Sequence, residues 1–208
     1  MSEIRASRST GQGSVVKRHW RLLLYPIGMI PAAWLVWQGQ HGALGADPVN
    51  VFERSLGLWA FRFLLVCLAL VPLRRFTGLN LLRYRRLTGL LAFFYASLHL
   101  LAYVGLDHGF DWAVLWKDVT HRYFIILGMS ALVLLVPLAL TSNALSMRLL
   151  KRRWKLLHRL IYPAAILAGI HFFLSFKTLN SVSAPYLAVL ILLFLSRFLP
   201  RARARNGV

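Results

Sequence analysis

Six apolar runs, each close to the roughly 20 residues needed to cross a bilayer, alternate along the chain with short polar stretches. They cover 21–38, 56–73, 88–106, 122–140, 155–175 and 184–199. The pattern predicts an all-α membrane protein, a six-transmembrane-helix bundle. Pro26 and Pro31 fall inside the first run, where neighbouring helices can re-satisfy the backbone. Trp34 and Trp37 sit near its end, as interfacial aromatics do. The stretch Gly42 to Val49 is turn-rich, and Leu140-Thr141-Ser142-Asn143 reads as a helix stop with polar capping. Residues 1–18 are expected as a disordered tail, 19–200 as the membrane domain and 201–208 as a basic tail. The chain shows no sequence repeat, no low-complexity tract and no soluble segment large enough to hold a nucleotide.

Charge orients the bundle. Basic residues cluster before the first run (Arg5, Arg8, Lys17, Arg18, Arg21), between the second and third (Arg74, Arg75, Arg83, Arg85, Arg86), around 148–155 and at the C-terminus. The alternate loops hold few cations but five of the six acids, Asp47, Glu53, Asp107, Asp111 and Asp118. Under the positive-inside rule both termini are cytoplasmic. Composition agrees with the pattern: 58% of the 208 residues are hydrophobic and 15% charged, against about a quarter charged in a soluble domain. A net charge of +19 raises the question of nucleic acid. Cations confined to the ends of apolar runs answer it as topology, with anionic lipid or an acidic reductase as further partners of the inner clusters. The single cysteine, Cys67, excludes an intrachain disulfide or a thiolate metal site and reads as packing.

The candidate chemistry lies in histidines inside apolar runs, because ionisable rings there pair, relay protons or bind metal. His158 and His171 stand thirteen residues apart in the fifth run, about 20 Å along one helix axis. His99 occupies the third run. Ala92 and Ala96 precede His99 by seven and three residues, and Ala164 and Ala168 precede His171 by the same offsets. Those offsets share the histidine's face of a helix, so each ring has a side-chain-poor strip beside it. Two such strips make a slot for a planar macrocycle, a haem held between His99 and His171. Depth pairs these two and leaves His158, near the inner face, without a histidine opposite. A second haem, a quinone, a flavin edge or a hydrogen bond all remain open for it. Arg62 has two readings, a side chain reaching the outer interface or a partner for a haem propionate. His19, His41 and His108 are read as solvated, and His121 as an interfacial polar residue.

Two histidine-bearing helices in a six-span bundle resemble the ferric-reductase-like transmembrane domain, which assigns 19–200 as a haem-binding unit. The stretches Gly42 to Val49, Arg85-Arg86-Leu87-Thr88-Gly89 leading to Ser97-Leu98-His99-Leu100, Leu140-Thr141-Ser142, Lys151 to Tyr162 and Ile170-His171-Phe172 resemble one family more closely. It is that of the haem-binding membrane subunits of the periplasmic protein-methionine-sulfoxide reductase system, MsrQ. The resemblance covers nearly the whole chain apart from its tails. It implies haem b, one or two per chain, with FMN also attributed to the family, in a bacterial inner membrane. It implies electrons taken from the quinone pool or a cytosolic flavin reductase. They pass to a periplasmic molybdopterin-containing subunit that reduces methionine sulfoxide, so the catalytic site lies on a partner. His99, His158 and His171 stand where that family's functional histidines stand, which marks all three as metal or cofactor residues. The usual ferric-reductase pattern, two histidines on each of two helices, is not met.

Two imidazoles suit iron, and two strong axial ligands leave no open position, so such a site carries electrons. The rival from another class is a proton-coupled transporter with a histidine relay. The absence of repeat symmetry and of acids inside the runs argues against it. A self-sufficient metal reductase lacks its nucleotide domain.

Overall fold

The structure, a computed structural model, describes residues 12–176 and 181–199, with side chains from residue 24 onward. All regular structure among them is helical. Helix α1 spans Gln12–Gln40, α2 Pro48–Thr77, α3 Arg85–Ala102, α4 Trp112–His121, α5 Tyr123–Leu140, α6 Ala144–Leu157, α7 Ile161–Phe176 and α8 Ser183–Leu195. A 3-10 turn, Leu82–Tyr84, leads into α3, and a five-residue π-helical turn, Tyr103–Asp107, extends it.

Local chemistry sets the boundaries. Asp47 caps α2 by accepting the Asn50 amide at 3.2 Å, and Pro48 fills its first turn, where the missing N–H is no loss. The helix stops at Gly78, whose φ of 75° is the left-handed conformation that glycine adopts freely. The expected stop after α5 is present. Thr141 and Ser142 hydroxyls donate to the Pro137 and Leu138 carbonyls, and Asn143 caps α6 through the Ser146 amide.

Among the described residues four helical stretches are long and apolar enough to cross a membrane: Pro48–Thr77, Leu82–Asp107, Tyr123–Leu140 and Ala144–Phe176. The sixth expected run is a shorter apolar helix, Ser183–Leu195, and the first lies within α1. Helix α1 already starts at Gln12, inside the stretch expected as a disordered tail; residues 1–11 of that tail, and all of 201–208, lie outside the described residues. The fifth run is not one straight helix. Lys151 takes a φ of 46° inside α6, and a 3-10 turn occupies His158–Leu160. Pro163 explains the second break: it has no N–H to give the Arg159 carbonyl and its ring crowds that carbonyl.

Two helix pairs dominate the packing, α2 with α3 and α5 with α7. Between them lies a core that includes Phe61, Leu64, Leu68, Ala92, Leu135, Ala164 and Phe172, closed on one side by Leu190 of α8. Helix α1 leans on α2 and α3. Its approach is close, because a side chain at Gly28 would collide with Leu91. Tyr95 of α3 is fully buried at this contact. Its hydroxyl donates to the Gly28 carbonyl at 2.9 Å and accepts the Ala32 amide at 3.0 Å. Those two groups flank Pro31, so a neighbouring helix satisfies the backbone where the proline thins its hydrogen bonding.

Candidate functional site: two histidine-lined cavities

Two cavities follow one another along the bundle, here called outer and inner after the ends that the charge pattern defines. The outer one holds about 660 Å³ and runs between α2, α3, α5 and α7. The inner one holds about 470 Å³ and is bounded by α2, α3, α5, α6 and the start of α7. Leu64 and Leu135 line both.

His99 and His171 enter the outer cavity from opposite sides, with ring centres 6.1 Å apart and planes inclined by 64°. Each is fixed by the helix packed beside its own. The His99 Nδ1–H donates to the Glu53 carbonyl of α2 at 2.9 Å, and the His171 Nδ1–H donates to the Phe124 carbonyl of α5 at 2.7 Å. A carbonyl can only accept, so both Nδ1 atoms carry the proton and both Nε2 lone pairs are left to ligate. Four residues beyond each carbonyl stands a glycine, Gly57 on α2 and Gly128 on α5. A Cβ at Gly57 would lie 3.2 Å from His99 Nδ1, and one at Gly128 2.8 Å from His171 Nδ1. One device therefore occurs twice: a carbonyl that orients the ring and, one helical turn on, a gap that admits it.

The spacing fits a single bridging ion. An imidazole nitrogen sits about 2.0–2.1 Å from a transition metal, and adding about 1.1 Å from nitrogen to ring centre on both sides gives roughly 6.3 Å between ring centres. Among the described residues no group of three or more His, Cys, Asp or Glu could hold an ion by itself. A metal on two imidazoles must then arrive with its other ligands, as a macrocyclic iron does. The wall is suited to such a ring: Ala92, Ala96 and Ala168, three of the four small residues singled out in the sequence, line the cavity, while Ala164 is buried in the core beneath. Apart from the two histidines, the titratable and cationic lining is gathered at the outer end, with Glu53, Arg54, Tyr103, Asp107 and Arg122. The cavity is thus amphipathic along its length.

Arg62 does not line this cavity. Its Nε donates to the Tyr186 hydroxyl at 2.8 Å and its guanidinium lies 4.7 Å above the Trp59 ring, so it joins α2 to α8. Neither sequence reading foresaw that aromatic clamp. The cations at the polar end are Arg54 and Arg122.

His158 lies in the inner cavity, beyond the shared leucines. Its Nδ1–H donates to the Trp154 carbonyl of its own helix at 3.1 Å, and the Trp154 ring stacks on it at 3.9 Å. Its Nε2 is buried without a hydrogen-bond partner, a costly state unless something takes the lone pair. No other histidine lines this cavity; Arg85, Arg86, Lys155 and Arg159 do, with Cys67.

Of the remaining histidines, His41 and His121 are exposed and bonded to carbonyls of their own helices. The expectation that His108 is solvated fails. It lies between Asp107 and Asp118, 3.2 Å from each, with its side chain 10% exposed. The tight turn after the π-helical segment folds it inward, which no local sequence signal announces. His19 falls outside the described side chains.

Residues 56–169 match the family described as "Ferric reductase like transmembrane component". The chain is 46% identical over 206 residues to "Protein-methionine-sulfoxide reductase heme-binding subunit MsrQ" of Brucella anthropi, a match covering 98% of this chain and 94% of that one. Proteins of the same name from Brucella ovis and Brucella canis are 48% identical over 189 residues, 90% of this chain and 86% of theirs. No solved structure matches the chain.

Proposed function

The chain belongs to the MsrQ family of ferric-reductase-like, multi-pass membrane proteins, and on that premise we propose that it is a haem b electron-transfer subunit of a protein-methionine-sulfoxide reductase system. It takes electrons from the quinone pool or a cytosolic flavin reductase and delivers them to a periplasmic molybdopterin-containing subunit, where the catalytic site lies. It sits in a bacterial inner membrane as six spans with both termini cytoplasmic. The observation that carries the reading is the pair His99 and His171, set at two-ligand spacing with both Nδ1 atoms committed to carbonyls.

A haem bound there would supply a one-electron couple. The chain's own residues do the rest. Glu53 and Phe124 carbonyls hold the imidazoles in the ligating tautomer, and the alanine strips exclude side chains from the ring plane. Arg54 and Arg122, at the polar end, would neutralise carboxylates of a bound ring, while Arg62 is kept on Tyr186 and Trp59. With both imidazoles as ligands, an iron held there would have no position left for oxygen or substrate, which favours electron transfer over activation. The inner cavity receives the donor side: His158, its free lone pair and the surrounding cations suit a second haem, a quinone or FMN.

The test is an absorption spectrum of the detergent-purified protein, oxidised and then dithionite-reduced, with pyridine haemochrome quantitation per chain. A sharp b-type α-band on reduction is expected, and a ratio of one or two fixes whether the inner cavity holds haem. A colourless protein expressed with haem available sinks the reading.

A further inference from the structure

Helix α4, Trp112–His121, has no place in the electron-transfer reading. Its ten residues extend about 15 Å, half of a bilayer core, so it cannot cross one. It connects the end of α3 to the start of α5, at the level of the outer cavity's polar mouth.

Three stripes run along it. Leu115 and Asp118, three residues apart, face the protein and are buried. The Asp118 carboxylate receives the Tyr103 hydroxyl at 3.0 Å, Arg122 Nη1 at 3.1 Å and His108 Nε2 at 3.2 Å. Beside that stripe Trp112 and Trp116, one turn apart, are 71% and 73% exposed. Lys117 and His121, also one turn apart and exposed, lie on the side away from it. The order of protein face, then aromatic face, then cationic face fits a helix lying flat at a membrane surface.

On either side of the aromatic stripe in sequence lie exposed apolar residues at the ends of two candidate spans. Leu106 and Phe110 before it and Tyr123 after it are all more than half exposed, and Tyr123 begins the α5 span. Phe110 is kept there at a strained φ of 62°, which a bulky residue seldom adopts, and its amide is tied to the Val104 carbonyl at 2.9 Å. An aromatic belt at this depth is what the headgroup layer selects.

We infer that α4 is an interfacial helix whose partner is the lipid headgroup layer of the outer leaflet. Trp112 and Trp116 enter it, Lys117 and His121 face water and lipid phosphate, and Asp118 pins the helix to the rim of the outer cavity. Because Tyr103 and Arg122 line that cavity, the rim is anchored to the membrane surface rather than floating above it. The choice of leaflet rests on the proposed orientation, but the inference does not depend on haem and survives a colourless protein.

The experiment is site-directed spin labelling of the full chain in lipid nanodiscs. Cysteine is placed singly as Trp112→Cys, Trp116→Cys, Lys117→Cys and His121→Cys. The unsubstituted protein reports background from Cys67, which is buried, and monodisperse elution reports folding. Power saturation is expected to show oxygen accessibility exceeding that of a water-soluble nickel chelate several-fold at 112 and 116. The reverse is expected at 117 and 121. Because a tryptophan variant removes part of its own stripe, the two polar positions test the orientation in a chain with both tryptophans intact. Nickel accessibility dominating at all four positions would place α4 in water, open to a protein partner, and overturn the inference. Oxygen dominating at all four would overturn it as well, by burying the cationic face.

Discussion

The outer and inner cavities differ in who holds the histidine. In the outer cavity each ring is oriented by a carbonyl on a different helix, Glu53 for His99 and Phe124 for His171, and each faces the other. In the inner cavity His158 is oriented by its own helix through Trp154, and cations stand where a second histidine would. An orientation set by a neighbouring helix is fixed only once the bundle has packed, and it then fixes ligand geometry tightly. One set within a helix survives movement of its neighbours. The outer cavity therefore presents two imidazoles set by neighbouring helices, and the inner one a single imidazole set locally among cations.

Breaking the ligand set tests this contrast most severely. His99→Ala or His171→Ala should abolish the low-spin b-type signal of the outer site, read by reduced absorption and electron paramagnetic resonance; retention of the wild-type signal in both variants would refute the assignment. Next comes the seat. Gly128→Ala puts a methyl 2.8 Å from His171 Nδ1, and Gly57→Ala one 3.2 Å from His99 Nδ1, so both rings must move. Loss of most low-spin haem is expected for Gly128→Ala and a milder spectral shift for Gly57→Ala. The reverse order would show that the seats do not govern ligation. A subtler change is His158→Ala, which should leave the dithionite-reduced outer spectrum intact while slowing reduction by a quinol or flavin donor at least several-fold. A collapse of the outer spectrum would mean that the two cavities are not separable. Smallest in the site and largest in stability is Tyr95→Phe: leaving the Gly28 carbonyl and Ala32 amide without the hydroxyl should cost about 1–3 kcal/mol, seen as a lower unfolding temperature in detergent with an unchanged haem spectrum.

The long apolar runs were legible because apolar length and caps are local signals; α4, Trp112–His121, and the extension of α2 back to Pro48 were not. The helix stop at Thr141-Ser142-Asn143 is an example of a local signal, whereas the break at His158–Leu160 falls inside a run expected to be continuous, although Pro163 carries its cause. The convergence of His99 and His171 followed from depth, which charge and residue count supply. The seats were hidden for a different reason. Their acceptors are backbone carbonyls, so Glu53 and Phe124 share no side-chain chemistry, and the repeated device of carbonyl and glycine leaves no sequence repeat. The glycines themselves, Gly57 in α2 and Gly128 in α5, were the faint signal available. Arg62 is different: its charge allowed two readings, the outer interface or a propionate, and in the fold aromatic faces and a tyrosine hydroxyl on α8 hold it.

The bond between Tyr95 and α1 also bears on biogenesis. Helix α1 leaves the ribosome some 60 residues before Tyr95, so for that interval the turn around Pro31 lacks the hydroxyl that later serves it. Docking of α3 supplies that hydroxyl and presses Leu91 into the notch at Gly28. Helix α1 is thus completed by α3, and the docking of α3 decides whether the backbone around Pro31 is satisfied.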